Sequence, residues 1–91
     1  MTIVDTGTAV CRALREQGVK HVFGLYGGHV IPIVRRLKEH GIQLVHVRHE
    51  QTAAYAADAW ARVTGRAGVC LVTAGCGLTN AVTGLAVAAS A

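Results

Sequence analysis

"HVFGLYGGHVIPIVRRLKEHGIQLVHV", His21 to Val47, decides the fold. It opens and closes on short apolar runs rich in β-branched residues, and between them Val30, Ile31, Val34 and Leu37 recur at helical spacing. Pro32 falls in the first turn of that helical stretch, where its missing N–H is no loss, and Gly41 stops it. Both flanking runs are apolar on consecutive positions instead of alternating ones, as strands covered on both faces are. Strand, helix, strand in that order is the crossover unit of a parallel sheet.

The unit repeats downstream. "GVCLV", Gly68 to Val72, resembles the first two runs. Ahead of it Ala53, Ala54, Ala57, Ala61 and Thr64 share one helix side, Asp58 and Arg62 pair four apart on another, and Gly65 ends the helix. Upstream, Asp5 caps a helix over Thr6–Gln17 with Ala9, Val10, Ala13 and Leu14 as its apolar positions and Gly18 as its C-terminal stop. At the far end "LTNAVTGLAVAASA" reads as a fourth helix. The expected fold is three-layer α/β/α, with parallel strands near His21–Leu25, Ile42–Val47 and Val69–Thr73. Ninety-one residues bound it to one small domain, and three strands leave both sheet edges bare. The range 1–91 is therefore read as the front part of a larger domain, with exposed edges and apolar helix faces that favour association.

Composition narrows the function. Nine Lys and Arg against five Asp and Glu give a net charge of +4, but the basic residues are spread over every segment and aromatic residues make up only 4%. That combination does not build a stacking, phosphate-tracking groove, so nucleic acid is not the expected partner. Cys11, Cys70 and Cys76 are odd in number and lack the paired spacing of a disulfide or zinc framework. With no long apolar run, the sequence reads as a cytoplasmic, membrane-independent chain.

In an open parallel sheet ligands sit beyond the carboxyl ends of the strands. Three loops lie there: "GLYGGHV", "VRHEQ" and "TAGCGLTN". A dinucleotide site fails on spacing, because "GLYGGH" is Gly-x-x-Gly-Gly and "GCGLTN" follows the third strand. A metal site fails as well: "HEQTA" lacks the second histidine of a zinc-protease helix, and His46 with His49 is no ligand spacing. Cys76 has no basic neighbour in sequence to make it a nucleophile. Glu50 is the acid of the middle loop. Taken alone, it begins a helix, a favourable placement of about 0.3–1 kcal/mol against the helix dipole.

"RHEQTAAYAADAWARVTGRAGVCLVTAGCGLTNAVTGLA", Arg48 to Ala86, strongly resembles the pyrimidine-binding domain of thiamine-diphosphate-dependent enzymes, the acetolactate synthase, benzaldehyde lyase and 2-hydroxyacyl-CoA lyase group. The likeness runs from about Val4 to Ala86. It rests on Arg-His-Glu ahead of an alanine-rich helix, on "ARVTG", and on Thr-Ala-Gly-x-Gly-Leu-Thr-Asn, in that order and spacing. Cys76 stands where many family members carry proline, and Val87 where many carry asparagine.

The resemblance implies strand order 2-1-3 and a catalytic Glu50. The matching glutamate in the family hydrogen-bonds a ring nitrogen of the aminopyrimidine and favours its imino tautomer, which takes the proton from the thiazolium C2; the ylid then attacks a 2-keto acid or aldehyde. Such a carboxyl needs little water around it, and Ala53 and Ala54 are the expected methyl lining. Thr73, Gly75 and Gly77 match the loop that packs close to the pyrimidine. His29 matches a histidine that faces substrate in some lyases; equally, it is a polar residue near a helix N-terminus. His49 is expected to orient the glutamate's loop. Mg²⁺ and the diphosphate belong to a separate domain with a Gly-Asp-Gly…Asn motif absent from this sequence, contributed by a neighbouring subunit or second copy. The chain alone is then expected to be inactive. The reading from another class is a stand-alone α/β nucleotide-binding or interaction module.

Overall fold

The computed structural model describes residues 5–90; residues 1–4 and 91, the two ends of the expected 1–91 domain, and Val4, where the likeness begins, lie outside the described residues. The elements are α1 (Thr6–Glu16), β1 (His21–Gly24), α2 (Ile31–Leu37), a single 3-10 turn (Lys38–His40), β2 (Gln43–His46), α3 (Glu50–Thr64), β3 (Cys70–Leu71) and α4 (Cys76–Ser90). The sheet is three-stranded, in order β2-β1-β3, with β1 parallel to both neighbours. Regular strand is shorter than the apolar runs. Ladder bonds nevertheless reach past it, from Phe23 N–H to the Val69 carbonyl at 3.0 Å and from Val47 N–H to the Gly24 carbonyl at 3.0 Å. The expected stops hold: Gly18, Gly41 and Gly65 have φ of 79°, 71° and 71°, where a side chain would be strained.

β1 sorts the helices into layers. Val22 packs with Cys11 of α1, Leu37 of α2 and Ile42, a fully buried cluster ringed by Leu14, Val19, Ile33, Leu44, Val69 and Leu71. His21 and Phe23, one residue to either side, meet Trp60 of α3 instead, with ring centroids 4.9 and 6.1 Å apart. Successive strand residues point to opposite faces, so helices cover both faces of the sheet.

Two helix faces differ from those read in the sequence. In α1 the inward positions are Gly7, Cys11 and Leu14, while Ala9 and Ala13 are exposed. Alanine is a weak marker of the inward side, and the tight approach of α2 selects glycine: a Cβ on Gly7 would overlap the Pro32 carbonyl. Cys11 Sγ donates to the Ile33 carbonyl at 3.5 Å, which ties the same two helices. In α3 the buried stripe is Ala53, Ala54 and Ala57. Thr64 is exposed, and its hydroxyl donates back to the Trp60 carbonyl at 2.7 Å.

α4 begins at Cys76, two residues ahead of the expected Leu78, and its buried positions are Gly77, Ala81 and Gly84. It lies along α3 with small residues meeting small residues. A Cβ on Gly84 would collide with the Cβ of Ala54. The outer side of α4 exposes Leu78, Val82 and Leu85, each more than half accessible. Among the described residues no helix is long and apolar enough to cross a membrane.

The seam gives a stability prediction. Glycine within a helix disfavours it by about 1 kcal/mol relative to alanine, so propensity alone predicts that Gly84→Ala stabilises. Overpacking a close contact costs roughly 1–3 kcal/mol, and here it should win. Gly84→Ala is expected to lower the urea midpoint, and Ala54→Gly added to it should recover part of the loss. A raised midpoint in the single variant would show that α3 and α4 are not held this close.

Candidate functional site

Because the sheet is parallel, all three strand-to-helix loops emerge at one end, and they touch. The turn after β1 contributes Gly27, where a Cβ would overlap the Thr73 side chain. Thr73, in the loop after β3, reaches on to α4: a Cβ on Gly77 would stand 3.0 Å from Thr73 Cγ2 and 3.5 Å from Glu50 Oε2. Glu50 is the first residue of α3, and its Oε1 accepts from Asn80 Nδ2 at 3.2 Å. Gly27, Thr73, Gly77, Glu50 and Asn80 thus form one continuous patch, drawn from three loops distant in sequence.

The local chain explains how Glu50 is held. His49 is extended, with φ −149° and ψ 142°, and its Nδ1 accepts from the Gln51 N–H at 3.0 Å. It is the N-cap, so the imidazole expected to orient the loop does so by satisfying a free helix donor. Glu50 then lies in the first turn, where backbone N–H groups point toward the carboxylate. Its own N–H lowers its pKa most, the Asn80 amide lowers it further, burial raises it, and the nearby His49 lowers it. The net direction is down. This differs from the dry, raised carboxyl expected from the resemblance: Glu50 is only half-buried, and hydrogen bonds outweigh desolvation. Ala53 and Ala54, the expected methyl lining of the carboxyl, are buried, Ala54 against Gly84 in the α3–α4 seam.

The remaining expected residues divide. Thr73 is half-buried and Gly77 buried, both at the carboxylate. Gly75 is exposed with φ 79° and open space around it, so its part is to turn the chain into α4. His29 is exposed in the turn before α2 and, among the described residues, hydrogen-bonds neither Glu50 nor Thr73. Asn80 and Gly27 are new members. Asn80 closes the quoted "TAGCGLTN", and an amide one helical turn beyond Gly77 was the available signal. Tyr26 and His46 meet at a tilt at the same strand ends, with ring centroids 5.1 Å apart. Cys70 beneath the site is pushed upward in pKa by burial and then by the charge of Glu50, which keeps its thiol protonated.

The patch fits an aminopyrimidine. It offers a carboxylate with Oε1 already bonded, a second oxygen beside a position where any side chain would intrude, and a threonine wall.

Acid stability follows from the same bonds. Glu50 and Asp5, which caps α1 by accepting from the Thr8 N–H at 2.7 Å, both have lowered folded pKa values. A lowered folded pKa contributes stability above the unfolded value and loses it as pH falls through the folded value. The window therefore opens near the ordinary values of 4.5 and 3.8 and extends below them. The urea midpoint should fall from about pH 5 downward. Glu50→Gln should be less stable than the parent at neutral pH and decline less steeply in acid; identical slopes would mean that the carboxylate makes no bond specific to the fold.

Comparison with known proteins agrees with this geometry. The family model described as "Thiamine pyrophosphate enzyme, N-terminal TPP binding domain" matches residues 4–91. The 2-hydroxyacyl-CoA lyase 2 of Danio rerio is 54% identical over 77 residues, 85% of this chain and 12% of the relative. An acetolactate synthase large subunit of Buchnera aphidicola is 48% identical over 89 residues, 97% of this chain and 16% of the relative. The acetolactate synthase isozyme 2 large subunit of Escherichia coli is 51% identical over 77 residues, 85% of this chain and 14% of the relative. The chain spans well under a fifth of the length of these proteins. With the parallel sheet, its three converging loops and a match over nearly all its residues, the chain belongs to the thiamine pyrophosphate enzyme family, in the N-terminal TPP-binding domain.

Proposed function

We propose that this domain binds the aminopyrimidine of thiamine diphosphate and activates it through Glu50, as part of an acetolactate-synthase-like carboligase or decarboxylase acting on 2-keto acids. The observation that carries the proposal is the Glu50 carboxylate, bonded through Oε1 to Asn80 and with Oε2 beside Gly77, in a chain of this family. When bound, the cofactor supplies a carbanion-stabilising thiazolium. Glu50 would hold the pyrimidine and exchange a proton with its ring nitrogen through Oε2, and Thr73 and Gly77 would bound the ring on that side.

In this chain hydrogen bonds hold the Glu50 carboxyl below its ordinary pKa. A second, complementary domain closing over the loops would remove water and raise the Glu50 pKa. That domain, from a neighbouring subunit, is also where we place the diphosphate and its Mg²⁺. The exposed Leu78, Val82 and Leu85 of α4 support cover of this kind, because they form an apolar face running from the site.

A lyase acting on a 2-hydroxyacyl-CoA or hydroxyketone is the second reading. It is favoured by the 54% identity to a 2-hydroxyacyl-CoA lyase 2 and by His29, whose exposed ring is available to a substrate. Both readings use the same Glu50 step.

The test is a chimera in which this chain replaces the matching segment of the Escherichia coli relative. Glu50→Gln in that chimera should leave thiamine diphosphate bound and slow hydrogen exchange at C2, followed by NMR, by on the order of 10²–10⁴-fold, the usual contribution of a positioned acid or base. The amide matches the carboxylate in shape and cannot move a proton. Unchanged exchange with the cofactor bound would return Glu50 to a helix-starting role.

A further inference from the structure

Glu50 carries two oxygens, and the structure treats them differently. Oε1 accepts from Asn80 Nδ2 at 3.2 Å, whereas Oε2 is turned to the space over Gly77. A glutamate side chain has three rotatable bonds and, half-exposed, would otherwise sample several positions. The contact spans thirty positions of sequence and joins the first turn of α3 to the start of α4. Among the described residues no other side chain hydrogen-bonds Glu50. The Thr79 hydroxyl donates to the Cys76 carbonyl at 3.2 Å, and the His49 ring is engaged as the N-cap through Nδ1. Cys70, the other titratable group near the carboxylate, has its thiol held protonated and bears no charge to compete.

We propose that Asn80 is the positioning residue for Glu50: its amide holds Oε1 so that Oε2 alone is presented to the ligand. The proposal rests on the reading of Glu50 given above. It also explains the residue type. A carboxylate only accepts, so its neighbour must donate without being ionisable. Aspartate at 80 would set two carboxylates side by side, and like charges at that separation drive one of them to hold a proton. Alanine would leave Oε1 to water and release the side chain.

The contact is read first in the chain itself. Glu16, Glu39 and Glu50 are its only glutamates, so selective ¹³C labelling of glutamate gives three carboxyl signals, and Glu50→Gln identifies the one of interest. Asn80→Ala should move the Glu50 titration to higher pH, and Asn80→Asp should move it further and split it into two steps. Asn80 is exposed, so these changes leave the core intact. In the chimera, Asn80→Ala should slow C2 exchange about 10–100-fold, as small misplacements of catalytic groups do, with cofactor affinity kept within about threefold. Asn80→Gln, which retains an amide donor, should recover part of the rate. The acid limb of the exchange profile should shift up in Asn80→Ala, a second readout that does not depend on the isolated chain. A Glu50 titration indifferent to both substitutions overturns the proposal, whether or not Glu50 is catalytic. So does a shifted titration with unchanged exchange in Asn80→Ala. Unchanged exchange in Glu50→Gln, by contrast, removes the catalytic reading itself.

Discussion

The close approach of α3 and α4 is the constraint on which the rest depends. Gly84 sits on Ala54 with no room for a methyl between them, and Gly77 sits beside Glu50 one helical stretch earlier. Alanines and glycines on facing helices bring the backbones together, and what is lost in apolar area per residue is partly offset by dispersion contact. The seam has two ends with different chemistry. Between Ala81 and Gly84 it is closed, with Ala53, Ala54, Ala57 and Ala81 all buried. Toward the strands' carboxyl ends it opens, and there the facing positions are an acid and an amide. One packing rule, small against small, therefore both fastens α4 to the domain and sets the distance at which Asn80 reaches Glu50.

The sheet supplies the second coordinate. β1 is central, so the loops after β2 and β3 flank the one after β1. A parallel arrangement is what sends all three to the same end, and the glycines at 27 and 77 answer their crowding. Thr73 fills the space between Gly27 and Gly77, and a larger residue at either glycine would displace it and, with it, the wall beside Glu50. At the opposite end the helix-to-strand turns meet instead: Gln17–His21 and Arg66–Ala67 line a cavity with Trp60 and Thr64, Trp60 packs on His21, and the helices α1 and α3 end at glycines. Site and scaffold are separated along the strands, an arrangement that keeps the parts needing precision on rigid elements.

Much of this was legible in the sequence because it depends on signals with sharp physical causes. Pro32, Gly18, Gly41 and Gly65 mark helix ends through backbone geometry, and consecutive apolar residues mark strands covered twice. The Arg-His-Glu and Thr-Ala-Gly segments pointed to the family and, through it, to the strand order. What escaped were relations between residues that sequence spacing does not encode. The inward face of α1 was misread because alanine is as common outside as inside, while Gly7 and Cys11 are inward for reasons that lie in α2. Asn80 was part of a quoted motif, yet its partner is thirty residues away and its role appears only when α3 and α4 are packed. The state of Glu50 escaped as well, since methyl groups nearby in sequence say nothing of the N–H groups of the helix it begins.

That last difference bears on how such a site works. A carboxylate at a helix start is stabilised as the anion, and the same hydrogen bonds that fix its position make it a poor proton carrier. Positioning and proton affinity thus pull in opposite directions within this chain. Burial is the one influence at Glu50 that acts the other way, and it is only partly present. Bringing a ring and a second domain over the loops would add desolvation without breaking the bond to Asn80, because that bond lies on Oε1, away from the ligand. In the proposed function the domain would hold its acid in place while the ligand and its other support adjust the acidity, so that the proton would become mobile only when the site is closed. On the proposed reading, an acid poised in this way would be idle in the open domain and competent on assembly, which would tie the chemistry to the presence of a partner through electrostatics with no change in the fold.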